Sequence, residues 1–119
     1  MDAGPSMAFN GAVHGVRTLE VPVGWSLEVR FRNKDALPHS VRVIDETTTM
    51  SLNVPTAAFA NAETSNADTG SPNGARSVFT IRADHAGSYL LACAVPGHAS
   101  AGMYVRFVVS SDVAVPSYR

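Results

Sequence analysis

Cysteine is nearly absent from this chain of 119 residues, in which Cys93 is the single one. An internal disulfide is thereby excluded, and so is a zinc centre that needs two thiolates. Cys93 is left as buried filler, a nucleophile or a metal ligand. No apolar run approaches the roughly 20 residues that a membrane-spanning helix needs. The start, from Met1 to Pro5, has neither the basic nor the apolar region of a signal peptide. An initiator-like Met1 before so Pro/Gly/Ala/Ser-rich a start is equally what remains when a leader or anchor has been cut away, so it does not reveal the compartment. An excess of charge is missing too. The chain has 9 basic and 10 acidic side chains and a formal charge of −1, without a Lys/Arg run to follow a phosphate backbone. Nucleic acid is not an expected partner.

What is present describes a folded domain. An apolar fraction of 45% with 16% charged residues is ordinary for globular chains. The length predicts one domain over 1–119, with residues 1–5 as a flexible N-terminus. Apolar positions recur with period two rather than 3.6, which reads as strands. Ser26–Asn33 shows it best, Leu27, Val29 and Phe31 alternating with Glu28, Arg30 and Arg32. Further strands are expected over 18–23, where Pro22 suggests an edge or a bulge, and over 40–44, 77–82, 88–93 and 103–109. Short strands divided by Gly, Pro and Asn clusters predict an all-β Greek-key sandwich or barrel. Residues 45–75 break the pattern and are expected as a long insertion, with a short helix or extra strand within 54–62.

The chemistry concentrates between Cys93 and Met103, where the sequence reads Cys-Ala-Val-Pro-Gly-His-Ala-Ser-Ala-Gly-Met. Cys93 would end one strand, His98 lie in the connecting loop and Met103 begin the next strand. His39, after Pro38 at the head of another strand, supplies a second imidazole. Two His, one Cys and one Met form the blue-copper donor set, a His2Cys trigonal plane with a weak axial Met. Thiolate and thioether suit Cu(I), and imidazole suits both oxidation states. The metal ligands expected are therefore His39, Cys93, His98 and Met103, around one copper ion.

At these residues the chain resembles the cupredoxins, and within them the sulfocyanins, with rusticyanin and auracyanin as more distant relatives sharing the C-x4-H-x4-M loop. The resemblance rests on that loop, preceded by Gly87-Ser-Tyr-Leu-Leu-Ala, and on Met7-Ala-Phe-Asn-Gly, Val21-Pro-Val-Gly-Trp25 and Leu37-Pro-His-Ser40. It implies a Greek-key sandwich, a mononuclear type 1 copper and one-electron shuttling outside the cytoplasm, in the periplasm or at the outer face of the cytoplasmic membrane. It also implies a respiratory chain with a cytochrome or terminal oxidase as partner. Ser40 stands where many cupredoxins carry Asn.

With all four coordination positions filled by protein, no place is left for a substrate, and an enzyme is not expected. One rival is a copper-storage or chaperone protein, which presents such ligands on an open surface. Another is a Cys/His nucleophilic enzyme, for which no motif speaks.

Other residues take plainer roles. His14 and His85 are read as surface or satisfied histidines. Met1, Met7 and Met50 are read as packing, Tyr89 as a corner-locking tyrosine, and Trp25 as structural, covering one end of the barrel. Residues 94–102 carry no charge besides His98, so Ala94, Val95, Pro96, Ala99 and Ala101 are expected to surround it as an apolar docking patch. Partners would dock near His98, Pro96, Ala99 and Ala101. A shell so poor in charge should favour Cu(I) and raise the potential, with Ser40 hydrogen bonding near Cys93.

Overall fold

A computed structural model describes residues 1–47 and 50–119. Its strands are β1 (Asp2–Gly4), β2 (Ala8–Phe9), β3 (Thr18–Pro22), β4 (Ser26–Asn33), β5 (Arg42–Asp45), β6 (Arg76–Arg82), β7 (Gly87–Ala92), β8 (Tyr104–Ser110) and β9 (Ser117–Tyr118). They form two mixed sheets, ordered β2-β1-β4-β6 and β5-β7-β8-β3-β9. This is the all-β sandwich expected from the period-two pattern. No helix among the described residues is long and apolar enough to cross a membrane.

The alternation explains the core. β4 and β6 turn Phe31, Phe79 and Ile81 inward, opposite Val43 of β5, Tyr89 and Leu91 of β7, and Val105, Phe107 and Val109 of β8. Phe31 and Phe107 are almost wholly enclosed, each contributing about 1.5–3 kcal/mol of apolar burial. β7 is buried on both faces. Its other row, Leu90 and Ala92, packs in a second cluster with Ile44, Val54, Ala67 and Ala99. Tyr89 closes its corner as expected, its hydroxyl donating to the His85 carbonyl at 2.8 Å.

Several expectations are corrected. Residues 1–5, expected to be flexible, contain β1, which pairs in parallel with β4 and buries Ala3 completely. The strand expected over 40–44 starts at Arg42. β3 lies between β8 and β9 rather than at the edge. Pro22 is nonetheless tolerated, because β9 pairs only with Leu19 and Glu20. Trp25 does not close the barrel, being 43% exposed.

Residues 54–62 form neither helix nor strand. The segment runs beside β5 instead, with Ala58 N–H donating to the Val43 carbonyl, Val43 N–H to Ala62 and Thr64 N–H to Val41. Arg42 pins it there, with its guanidinium on Glu63 at 3.1 Å, on Asp68 at 3.1 Å and on the Val54 and Pro55 carbonyls. Of the expected insertion 45–75, residues 48 and 49 lie outside the described residues.

Candidate metal centre

The candidate ligands continue the inward rows of their strands. On β7 the row Tyr89, Leu91 is extended by Cys93, and on β8 the row Val105, Phe107, Val109 is extended backwards by Met103. Ahead of β5, the inward Val43 is preceded at two-residue steps by Val41 and then His39, which bridges to Ser71 rather than lying on the strand. Side chains alternate with period two, so Cys93 and Met103, each one step past a strand, face the same end of the sandwich, and His39, three residues before β5, meets Cys93 there. The β7–β8 ladder ends on Ala92 opposite Tyr104, and Cys93 N–H then donates to the Met103 carbonyl at 3.1 Å. Cys93 and Met103 thus face each other across the base of a hairpin whose loop carries His98. The loop is wound tightly, with Ala101 N–H on the Gly97 carbonyl and Met103 N–H on that of His98.

His39, Cys93 and Met103 are fully buried, and His98 is half-buried. His39 Nδ1 lies 3.2 Å from His98 Nδ1, and Cys93 Sγ lies 3.9 Å and 3.5 Å from the two nitrogens. The three donor atoms all fall within 4.8 Å of one another. Two imidazole nitrogens and a sulfur aimed at one buried point suit a cation of borderline softness, which meets the donor chemistry of copper. Met103, completely buried, heads the inward row of β8 opposite Cys93 on that of β7.

The surroundings set each donor. Ser40 N–H donates to Cys93 Sγ at 3.4 Å. The Ser40 hydroxyl gives its single proton to the Ala67 carbonyl at 2.7 Å and accepts the Ala94 N–H at 3.0 Å, standing 3.9 Å from the sulfur. Ser40 therefore reaches Cys93 through its backbone, while its side chain ties the middle segment to the ligand loop. Ser40→Ala keeps the amide on Sγ and leaves two buried backbone groups unpaired. It should cost about 1–3 kcal/mol in denaturant unfolding while shifting the reduction potential little. A neutral effect on stability would remove the clamp.

Asp35 is the functional candidate that sequence reasoning missed. Its Oδ2 lies 2.7 Å from His39 Nε2, on the side of the ring away from the other donors. A signal existed in the spacing, since Asp35 and His39 stand four apart. Around them Asn33, completely buried, donates from Nδ2 to the Leu37 and Ser71 carbonyls and accepts Asp35 N–H. Gly70 allows this close approach at φ +83°, where a Cβ would stand 2.8 Å from the Val95 side chain and 3.0 Å from the His39 backbone nitrogen.

Burial pushes the Cys93 thiol above its ordinary value, against smaller opposite pulls from the Ser40 and Val95 amides. Burial, and after it the neighbouring His39, holds the His98 imidazole below its ordinary value. The hydrogen bond to His39 leads in holding the Asp35 carboxyl low.

These directions fix the pH profile of the metal-free protein. The unfolded chain takes up the His98 proton first as pH falls, so stability should decline on going below about 6.5. Asp35 adds a further loss below roughly pH 4. The unfolded chain gives up the Cys93 proton first as pH rises, so stability should also decline above about pH 8.5. Urea titrations across this range should show a plateau between the two limits. A monotonic profile would contradict the buried, neutral states of His98 and Cys93.

The expected docking patch is partly corrected. Pro96 and Ala101 are exposed beside His98, but Ala99 and Ala94 are each 1% exposed and belong to the second core cluster. Leu52 joins instead, 67% exposed, its carbonyl accepting the Gly97 N–H at 2.9 Å. His14 and His85 are exposed, as expected.

A family model described as the sulfocyanin (SoxE) domain matches residues 1–119. Sulfocyanin of Sulfolobus acidocaldarius is 30% identical over 115 residues, covering 91% of this chain and 58% of that protein. Rusticyanin from Thiobacillus ferrooxidans superposes with a TM-score of 0.65 at 26% identity, over 78% of this chain and 60% of that one. Auracyanin from Roseiflexus castenholzii gives 0.64 at 19% identity over 90% of both chains, a likeness of fold. The chain thus spans about 60% of the sulfocyanin and rusticyanin lengths.

Proposed function

The chain belongs to the sulfocyanin family of cupredoxins, copper proteins that carry electrons rather than catalyse reactions, and from this premise we propose that it holds one type 1 copper on His39, Cys93, His98 and Met103 and passes single electrons through it. One observation carries the assignment. The Nδ1 atoms of His39 and His98 and the Cys93 sulfur converge within 4.8 Å at the buried end of the core, on rows set by the strands. When bound, copper supplies a one-electron couple. The protein contributes a thiol that ionises to receive the metal, imidazoles already turned toward it, and a packed shell that excludes water. Holding the donors in place whichever oxidation state is bound keeps reorganisation small.

Electrons would pass by way of His98, the ligand nearest solvent, within an uncharged surface formed by Leu52, Pro96 and Ala101. Such a surface suits brief docking of a redox protein, and we place the chain in a respiratory chain beside a cytochrome or terminal oxidase. We place it outside the cytoplasm, in the periplasm or at the outer face of the cytoplasmic membrane. Residues 1–119 act as one domain, consistent with a radius of gyration of 13.0 Å against about 13.5 Å for a single domain of this length.

Burial speaks against the rivals. A storage or chaperone site would offer exposed, exchangeable ligands, whereas Cys93, His39 and Met103 have no exposure. An enzyme nucleophile needs a lowered thiol pKa, and burial drives that of Cys93 upward. Copper titration tests the proposal. An oxidised sample should develop an intense visible thiolate-to-copper band that saturates at one equivalent and bleaches on one-electron reduction. A colourless Cu(II) adduct, or several equivalents bound at equal affinity, would overturn it.

A further inference from the structure

His39 is completely enclosed, and an enclosed imidazole needs a partner for each ring nitrogen. Its Nε2 has one in Asp35 Oδ2 at 2.7 Å. An ionised carboxylate can only accept, so the proton of a neutral His39 must sit on Nε2, and Nδ1 must present its lone pair. Nδ1 is the atom that lies 3.2 Å from His98 Nδ1 and 3.9 Å from Cys93 Sγ. The other carboxylate oxygen is held by Ala36 N–H at 2.8 Å, and the Asp35 backbone is anchored by Asn33 Oδ1 and Asn73 Nδ2. Asp35 therefore cannot swing away without breaking its own turn. Its side chain is 14% exposed, and among the described residues no Lys or Arg forms an ion pair with it. Its negative charge is thus neither well solvated nor neutralised by another side chain. A backbone carbonyl in the same place would fix the same tautomer without a net charge.

We propose, on the copper reading above, that Asp35 is a positioning residue which locks His39 in the Nε2–H tautomer and adds a charge that favours Cu(II) over Cu(I). It opposes the uncharged loop around His98, so the potential is a balance between an apolar face and an anionic one rather than the product of a uniformly charge-poor shell.

Asp35→Asn keeps the shape and removes the charge. Its one carbonyl oxygen cannot serve both Ala36 N–H and His39 Nε2–H, so the amide group can donate to Nε2 and stabilise the wrong tautomer. Three measurements test the inference. Two-bond proton–nitrogen correlation spectra of the metal-free wild type should show His39 solely as Nε2–H, and Asp35→Asn should show an Nδ1–H population. Cu(II) affinity should fall about 10- to 100-fold in the variant, as outer-shell changes at metal sites typically cause, and Cu(I) affinity should fall less. Each tenfold difference between those losses raises the potential by 59 mV for a one-electron couple. The wild-type spectrum needs no variant and stands even if Asp35→Asn fails to fold. An Nδ1–H His39 in the wild type, or a variant with unchanged Cu(II) affinity and potential, would overturn the inference. A wild type that never develops the thiolate band would overturn the copper reading and the tuning role together, while the metal-free tautomer would still decide the positioning role.

Discussion

Copper-loaded Cys93→Ala protein is expected to lack the intense visible band altogether and to hold copper more than about 100-fold less tightly than wild type, beyond the range typical of outer-shell changes. The band arises from thiolate-to-copper charge transfer, and the chain contains no second cysteine to replace the first. On the proposed ligand set, two imidazoles and a thioether would remain, offering nitrogen and a weak sulfur donor. The fold should survive, because replacing a buried thiol by a methyl group removes one sulfur from a core that includes Phe31, Leu91, Val105 and Phe107. The cost is on the order of 1 kcal/mol. Far-ultraviolet circular dichroism and denaturant unfolding of the metal-free variant separate loss of the ligand from loss of the fold. Colour persisting in a folded Cys93→Ala protein would remove Cys93 from the site.

The second large effect is expected at Asn33, which never touches the donor atoms. It ends β4, in the sheet opposite β5, and its side chain spans to the chain on either side of His39. Nδ2 holds the Leu37 and Ser71 carbonyls at 2.9 and 2.8 Å, and Oδ1 holds the Asp35 amide at 2.9 Å. Ser71 in turn exchanges backbone hydrogen bonds with His39. Asn33→Ala removes three bonds made by a completely buried side chain, leaving the Leu37 carbonyl and the Asp35 amide without that partner while the Ser71 carbonyl keeps the His39 N–H. The expected loss is about 2–4 kcal/mol, or roughly 10 °C in Tm for a chain of this size. The copper band should also shift or broaden, since Asp35 and His39 lose their anchor. A loss below about 0.5 kcal/mol would show that other contacts hold this loop.

The strands and the ligand motif were legible because both depend on short-range order. In β4, β6, β7 and β8 a two-residue alternation is the direct imprint of one buried face, and continuing it by one step places Cys93 and Met103 without any tertiary information. β1, β2 and β9 were not legible. Strands of two or three residues are too short to show a period, and Asp2–Gly4 is extended only because β4 offers it a ladder. The turn joining β1 to β2 also uses Ser6 and Met7 at positive φ, where no glycine advertises it. The middle segment has no period because its place comes from Arg42 reaching Glu63 and Asp68, a pairing that composition does not reveal. Ala99 was assigned to the surface because a wound loop turns its residues in and out without regular spacing. Asp35 was hidden for a different reason: an acidic residue near a turn is ordinary until the ring nitrogen it faces is known.

The mutual backbone contact of Cys93 and Met103 has a consequence for how such a protein can change. It knots the two ends of the ligand loop together at the point where the sheet stops, so residues 94–102 behave as a cassette plugged into a fixed socket. Exposed positions within the cassette, such as Pro96 and Ala101, can vary while Cys93 and Met103 stay where the ladder holds them, but Ala94 and Ala99 are packed into the second core cluster and are fixed with it. The outer face of the loop can therefore be altered at Pro96 and Ala101 without touching Cys93, Met103 or the buried loop positions, whereas His98 ties the same segment to the donor cluster.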